Sequence, residues 1–221
     1  MKSRFGIFLM IAGAILIAGA IALAGYNFYD SSKAEKASDA VMNELVALIE
    51  QNSKAQETEK LPEDHTDPDE STHAGEETDP PEHVAYPDMS MPTIIINGRS
   101  YIGYVEFPTL NLVLPVAGEK WNYDYLAETP CLYKGSVYKD SAIIAGHNYT
   151  AHFGRLDNLQ KGAAVKFVDA KGNVFQYEVG WTELIDETDV EGLTGGDDWD
   201  MTLFTCNYSG DKRYTLRLIK N

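Results

Sequence analysis

A cysteine and an arginine near the end of the chain face each other across a short polar loop. Cys206 closes an alternating apolar segment and Arg213 opens the next one, with the loop 207–212 between them. Because such segments are typical of neighbouring β-strands, the thiol and the guanidinium are expected at the same end of a sheet. Upstream, His147 follows a third apolar segment through Gly146. These side chains could supply a nucleophile, a general acid–base and an oxyanion donor.

Each of these roles has an alternative. Cys206 could be a buried cysteine that fills a strand, but the polar loop after it places it at a strand end, where access is easiest. A second imidazole, His152, lies five residues after His147 and is interpreted as a loop or helix residue. Arg217 shares a strand face with Arg213 but lies some 13 Å further along, at about 3.3 Å per residue. The sequence therefore favours Cys206, His147 and Arg213.

The order of these motifs resembles the sortase family, the membrane-anchored cysteine transpeptidases of Gram-positive bacteria. The TLxTC strand end of that family is matched by Thr-Leu-Phe-Thr-Cys at 202–206, and its Gly-His pair after an apolar strand by residues 143–147. Its arginine at the start of the last strand is matched by Arg213. The resemblance extends over residues 101–221. Three motifs in the family's order make it specific, whereas any one alone would be weak.

The resemblance implies a reaction and its partners. Cys206 would attack a peptide bond in an LPxTG-like signal near the C-terminus of a secreted protein. An amine of a cell-wall precursor or of a pilin would then resolve the acyl-enzyme. His147 would protonate the leaving amine and later deprotonate the incoming one. The resemblance further implies that Thr205, Ala145 and Asn148 contribute to substrate binding.

The C-terminal residues of the sequence bear on which class of the family the chain resembles. Two residues follow the segment 213–219, which argues against the pilin-polymerising class with a C-terminal membrane helix. Residues 86–89 match the lid motif of that class poorly.

No cofactor is expected. The acidic segment 185–200 is expected to select the sorting signal, with calcium bound by its carboxylates as the alternative.

Two other functions have to be weighed against this one. A hydrolytic cysteine protease of the papain type would place its cysteine before its histidine, and here the histidine comes first. A non-enzymatic surface domain would use Cys206 structurally, for example in a disulfide with Cys131, the other cysteine of the chain. Because only Cys206 lies in a motif, both cysteines are expected to be thiols.

Charge excludes one class of partner. The 221 residues carry a formal net charge of -16, most of it in the first 92 residues, and the chain has no cluster of lysine and arginine. Binding to nucleic acid depends on positive charge against phosphates, so it is not expected.

The N-terminus carries an apolar segment that is long enough to cross a membrane. Residues 5–25 contain no charge, follow Lys2 and Arg4, and precede Asp30. At about 1.5 Å per residue they span roughly 30 Å as a helix. The basic flank predicts a cytoplasmic N-terminus and an extracellular domain, so residues 1–30 are interpreted as a single-pass anchor. A cleaved signal peptide is the alternative, although the apolar run exceeds the usual length.

Two segments of contrasting composition follow the anchor. Residues 31–60 have a narrow apolar stripe at helical spacing, which favours a helical stalk over a coiled coil or a helix docked on the domain. Residues 61–91 hold ten acidic residues, five prolines and no lysine or arginine. They are expected to form a disordered acidic linker, because they contain too little apolar surface to fold. Three histidines in this segment have no compact metal-ligand spacing.

Residues 92–221 are expected to form the catalytic domain. Nine short apolar segments alternate there with turn signals such as Asn97-Gly98, and one short helix is predicted at 151–160. Many short strands of this kind predict an all-β sandwich or barrel. A closed β-barrel of about eight strands is the preferred architecture and agrees with the fold of the resembled family.

Overall fold

A single helix opens the chain. The computed structural model describes residues 2–59, 90–118 and 122–221, and helix α1 (Lys2–Glu59) is continuous through the first of these ranges. Its N-terminal part is long and apolar enough to cross a membrane, and none of the residues in its most apolar stretch is buried. The acidic linker expected at 61–91 lies almost wholly outside the described residues.

Nine β-strands lie in the described part of the chain after α1. They are β1 (Ile94–Ile96), β2 (Arg99–Phe107), β3 (Leu112–Ala117), β4 (Cys131–Lys134), β5 (Ala142–Ala145), β6 (Ala164–Asp169), β7 (Val174–Asp186), β8 (Met201–Cys206) and β9 (Lys212–Lys220). Eight of them close into a barrel in the order β2-β3-β4-β5-β8-β9-β7-β6, because β6 pairs back onto β2. The pairs β3–β4 and β5–β8 are parallel. The predicted closed barrel of about eight strands is confirmed.

Alternation along the strands decides which side chains face the barrel interior. On β8, Met201 and Leu203 belong to the interior cluster, whereas Phe204 packs in a second cluster outside it. Successive side chains of a strand point to opposite faces, so Cys206 shares the outer face with Phe204. The Cys206 side chain at the end of β8 therefore projects away from the packed interior.

Helices in the barrel domain are short. Helix α2 (Tyr123–Leu126) precedes β4, and helix α3 (Val190–Thr194) lies between β7 and β8. The helix predicted at 151–160 is a 3₁₀ helix, Phe153–Asn158. Such tight turns are common in short connections like this one.

The second half of α1 packs against the outside of the barrel. Leu45 and Ile49 are buried in one cluster with Ile94, Ile96 and Tyr101 of β1 and β2. This arrangement differs from the free stalk that the composition of residues 31–60 favoured. The apolar stripe is narrow because it covers only the adjoining edge of the barrel. As a result, the helix that carries the apolar N-terminal segment is also part of the folded domain.

Candidate active site

Two parallel strands place His147 and Cys206 at the same end of the barrel. β5 and β8 pair in parallel with Ala145 opposite Phe204, and the amide of Gly146 continues the ladder with a hydrogen bond to the Phe204 carbonyl at 3.0 Å. His147 and Cys206 each lie two residues beyond this matched pair. Neighbouring strands are about 4.8 Å apart, so the two chain segments leave the sheet side by side.

The next strand adds Arg213 on the other side of Cys206. β8 and β9 are antiparallel, and Cys206 lies directly opposite Arg213. Side chains at directly opposed positions share a face of the sheet and are close neighbours. The strand order β5-β8-β9 therefore brings together, at one end of the barrel, the three residues that the sequence singled out: Cys206 and Arg213 on adjacent strands and His147 in the loop after β5.

Cys206 opens onto a small cavity of about 110 Å³. The side chain is partly exposed and is a free thiol. Residues from the β5–β6 and β8–β9 connections and from strands β8 and β9 surround it, namely Asn148, Phe153, Gly154, Asp157, Thr205, Asn207, Tyr208 and Tyr214. Of the expected substrate-binding residues, Asn148 and Thr205 line this cavity, whereas Ala145 is buried in β5.

His147 is partly buried in the loop that follows β5. Burial lowers the pKa of His147, while a side-chain hydrogen bond with Asn148 and the charge of Asp30 on α1 act in the opposite direction. The ring of Tyr149 lies flat on the imidazole, with 3.9 Å between centroids and 12° between the planes. A lowered pKa keeps the imidazole neutral at neutral pH, ready to accept a proton.

Gly146 is required by a close approach next to the imidazole. A Cβ atom at this position would lie 2.3 Å from the ring of Phe153. The amide of Phe153 also donates to the His147 carbonyl at 3.1 Å, which folds the loop back on itself. Gly146 therefore leaves space for a phenyl ring that packs in the barrel core.

The two arginines of β9 have different surroundings. Arg213 is partly buried, donates to the Gly210 carbonyl at 3.1 Å and lies 3.8 Å from the carboxylate of Glu187. These contacts use part of its five N–H donors, which leaves capacity for a substrate oxygen. Arg217 is 2 % exposed and faces Thr202 in the register rather than Cys206.

Arg217 serves the fold. It donates to Glu183 at 2.6 Å, to Thr202 Oγ1 at 2.8 Å, and to two carbonyls of α3, Gly192 at 2.6 Å and Leu193 at 3.0 Å. These bonds tie the connection between β7 and β8 to the barrel wall. The geometry therefore separates Arg217 from the thiol, in agreement with the preference for Arg213.

The remaining candidates have structural surroundings. His152 is fully buried, and its Nε2 lies 3.3 Å from the hydroxyl of Ser38 on α1. Burial, together with the charge of nearby His147, lowers the pKa of His152 to about 4. Cys131 is a buried free thiol in β4, and burial raises its pKa to about 12. A thiol of this kind is inert at neutral pH.

Several carboxylates of the segment 185–200 have partners within the fold. Asp186 pairs with Lys212 at 3.0 Å, Asp189 caps α3 through the Gly192 amide at 2.7 Å, and Asp200 accepts from the Lys220 amide at 2.7 Å. Within residues 2–59, 90–118 and 122–221, no group of three or more acidic, histidine or cysteine side chains could hold a metal ion.

Two residues at the site were not singled out by sequence reasoning. Asn207 follows Cys206, and its side-chain oxygen accepts from the amides of Gly210 at 2.8 Å and Lys212 at 3.2 Å, which shapes the loop between thiol and guanidinium. An asparagine three residues before a glycine is a turn signal that could have indicated this. Tyr149 stacks on His147, and nothing in the sequence distinguishes it from a surface tyrosine.

Comparisons with known proteins agree with this architecture. A family model described as the sortase domain matches residues 105–220. A solved structure of sortase C1 from Streptococcus agalactiae is 22% identical, with a TM-score of 0.50, over 57% of this chain and 70% of that chain. Sortase A from Corynebacterium diphtheriae is 19% identical, also with a TM-score of 0.50, over 56% of this chain and 61% of that chain.

The search of solved structures also returns a Clostridium perfringens sortase D5 transpeptidase. It is 22% identical, with a TM-score of 0.48, over 58% of this chain and 82% of that chain. A search of curated proteins finds no match. At these identities the two structures with a TM-score of 0.50 speak for the fold alone.

Proposed function

The chain belongs to the sortase family, and on this premise we propose that it is a cysteine transpeptidase with Cys206 as nucleophile, His147 as general acid–base and Arg213 as oxyanion donor. One observation carries the assignment. The register of β5, β8 and β9 gathers the three residues at one end of the barrel, beside the cavity onto which Cys206 opens. Family membership and fold support transpeptidase activity in general.

The first half-reaction forms a thioester. His147 takes the proton of the Cys206 thiol, and the thiolate adds to the carbonyl carbon of the scissile peptide bond. Negative charge then develops on the carbonyl oxygen, where the guanidinium of Arg213 donates hydrogen bonds. The carbon–nitrogen bond breaks as the protonated His147 gives its proton to the leaving amine. An imidazole whose pKa is lowered by burial suits this transfer, because it releases the proton readily.

The second half-reaction reverses the first with a new amine. The incoming amine attacks the thioester carbon and gives a proton to neutral His147, and the Cys206 thiolate leaves and recovers that proton. The product is a new amide bond. We take the donor to be a secreted protein with an LPxTG-like signal and the acceptor to be an amine of a cell-wall precursor or a pilin.

Helix α1 supports a site at the outer membrane surface. Its apolar first half is long enough to cross the bilayer once, and the basic residues Lys2 and Arg4 favour a cytoplasmic N-terminus. The barrel would then lie outside the membrane, where secreted substrates and lipid-linked amines are both present.

Mass spectrometry tests the proposal directly. The purified chain is incubated with a library of LPxTG-like peptides, first without and then with candidate amines such as triglycine and lysine peptides. The expected result is an acyl adduct on Cys206 that is released as an amide when an amine is added. Adduct formation at another residue, or peptide release by water alone at every amine concentration, would contradict the assignment.

A further inference from the structure

The imidazole of His147 has no orienting group on its buried nitrogen. Nδ1 of His147 is buried without a hydrogen-bond partner in the part of the chain that the structure describes. Catalytic histidines are commonly held by a third group bonded to the second ring nitrogen. At this site the face of the imidazole is instead in contact with the ring of Tyr149, which stacks on it with 3.9 Å between the ring centroids. The orientation of this imidazole therefore depends on the ring contact together with the side-chain hydrogen bond to Asn148.

A second, tilted ring contact leads from Tyr149 toward helix α1. The ring of Tyr149 lies 5.9 Å from that of His152, which is fully buried. His152 in turn lies 3.3 Å from the hydroxyl of Ser38, which is itself 3 % exposed. The rings of His147, Tyr149 and His152 and the hydroxyl of Ser38 thus form a row of contacts. This row connects the acid–base to helix α1, which packs on the barrel.

The hydrogen bonds around Ser38 fix the direction of this link. The hydroxyl of Ser38 donates to the carbonyl of Glu128 at 2.9 Å, so its single proton is used there. The neutral imidazole of His152 must then donate through Nε2 to the oxygen of Ser38. Burial of His152 keeps it neutral and so preserves this arrangement at neutral pH.

A second bond holds the same loop to the helix. The amide of Ala151 donates to the hydroxyl of Ser31 at 3.4 Å, on the same face of α1 as Ser38 and about two helical turns before it. Within the loop, the amides of His152 and Gly154 both donate to the Tyr149 carbonyl at 2.9 Å. The backbone of Tyr149 is therefore fixed from inside the loop, and the loop is fixed from the helix.

We propose that Tyr149 is a positioning residue for His147, and that Ser38 of α1 maintains this position through His152. The inference rests on the proposed function, since it assigns His147 the acid–base role. A ring that stacks flat on an imidazole limits rotation about the Cβ–Cγ bond, which decides where the reactive nitrogen points. Displacing a reacting group by about 1 Å can reduce turnover roughly 100-fold.

Substitutions in the full-length chain, held in detergent micelles, test the proposal. Tyr149→Phe keeps the ring and Tyr149→Leu removes it, while Tyr123→Leu on α2, whose side chain is 75% exposed, is the matched control. Ser38→Ala removes the hydroxyl through which His152 contacts helix α1. Its matched control is Ser53→Ala, because Ser53 also ties α1 to the barrel, donating to the Lys171 carbonyl at 3.1 Å, but does so away from the loop.

Steady-state transfer of a sorting-signal peptide to an amine is the first readout. For Tyr149→Leu we expect kcat to fall roughly 10- to 100-fold with KM within about threefold of wild type, and Tyr149→Phe to stay within about threefold. Ser38→Ala should lower kcat by about three- to tenfold, and Ser53→Ala should leave it unchanged. Equal kcat for Tyr149→Leu and wild type, or equal losses in the two serine variants, would overturn the proposal.

Histidine side-chain NMR gives a readout that does not depend on turnover. With 13C-labelled histidine, the Cε1–H signal of His147, identified by its loss in His147→Gln, should carry a ring-current shift from Tyr149. That shift should persist in Tyr149→Phe and vanish in Tyr149→Leu. If wild type shows the shift but forms no adduct on Cys206, the proposed function fails while the ring contact holds. If Tyr149→Leu does not fold, the serine pair decides.

Discussion

Burial of His152 makes the stability of the domain depend on pH in a defined direction. The ordinary pKa of this side chain is 6.5, and in the folded chain burial lowers it to about 4. Between these values the unfolded state binds a proton that the folded state does not. Stability is therefore fully present above pH 6.5 and is lost as the pH falls toward 4.

The size of the effect comes from the shift in pKa. A shift of about 2.5 units corresponds to about 3 kcal/mol of unfolding free energy, since one unit is about 1.4 kcal/mol. Most of this, about 2.5 kcal/mol, should be lost by pH 4.5, where the carboxylates are still largely ionised. His152→Gln removes the titration and retains a side-chain donor for Ser38. The variant should therefore lose less stability than wild type over this interval.

Urea titrations followed by tryptophan fluorescence at pH 7.5 and pH 4.5 measure the difference. The comparison is made within each protein, so that any fixed cost of the substitution at pH 7.5 cancels. We expect the pH-dependent loss in His152→Gln to be smaller than in wild type by about 2.5 kcal/mol. The same loss in both proteins would show that His152 is not the group that links acid to unfolding.

Further variants separate catalytic from structural groups. Cys206→Ala should abolish cleavage and transfer, whereas Cys131→Ala should retain activity, because Cys131 is buried and its pKa is about 12. Equal losses of activity in the two variants, measured with a peptide substrate, would contradict the assignment of Cys206 as the nucleophile. Arg213→Lys should lower turnover by about 100-fold or more with an unchanged melting temperature. Arg217→Lys should instead destabilise the fold by about 3 kcal/mol in urea titrations, because it leaves buried acceptors unpaired. Lost stability in Arg213→Lys with lost turnover in Arg217→Lys would mean that the roles of the two arginines are exchanged. Replacing residues 61–89 by a Gly-Ser segment of the same length should leave peptide turnover unchanged, and a clear rate gain would mean that the segment acts as a lid.

The strands that carry the thiol and the guanidinium could be predicted closely from the sequence. β8 matches the predicted segment 201–206, and β9 extends the predicted segment 213–219 by one residue at each end. Alternation is strong in both because one face of each strand packs in the barrel interior. The polar loop between them is a local feature, and local features are encoded in adjacent residues.

Contacts between distant segments could not be predicted in the same way. The parallel pairing of β5 with β8 joins segments more than fifty residues apart, and nothing in either strand specifies its partner. His152 lies in a polar stretch typical of an exposed loop, yet it is buried because Ser38 of α1 and the Glu128 carbonyl meet it there. Burial of a polar residue depends on partners that only the closed fold supplies.

If α1 spans a membrane as proposed, its docking on the barrel changes what sets the height of the proposed active site above that membrane. The helix packs on the barrel before the chain reaches residues 61–89, so those residues connect two parts of one folded unit and do not determine its distance from the bilayer. If the membrane-spanning segment ends near Gly25, the thirteen residues to Ser38 rise at most about 20 Å along the helix. The loop that bears His147 is attached at Ser38. On the proposed membrane topology, a helix of fixed length would hold Ser38, to which the loop bearing His147 is attached, within about 20 Å of the membrane surface.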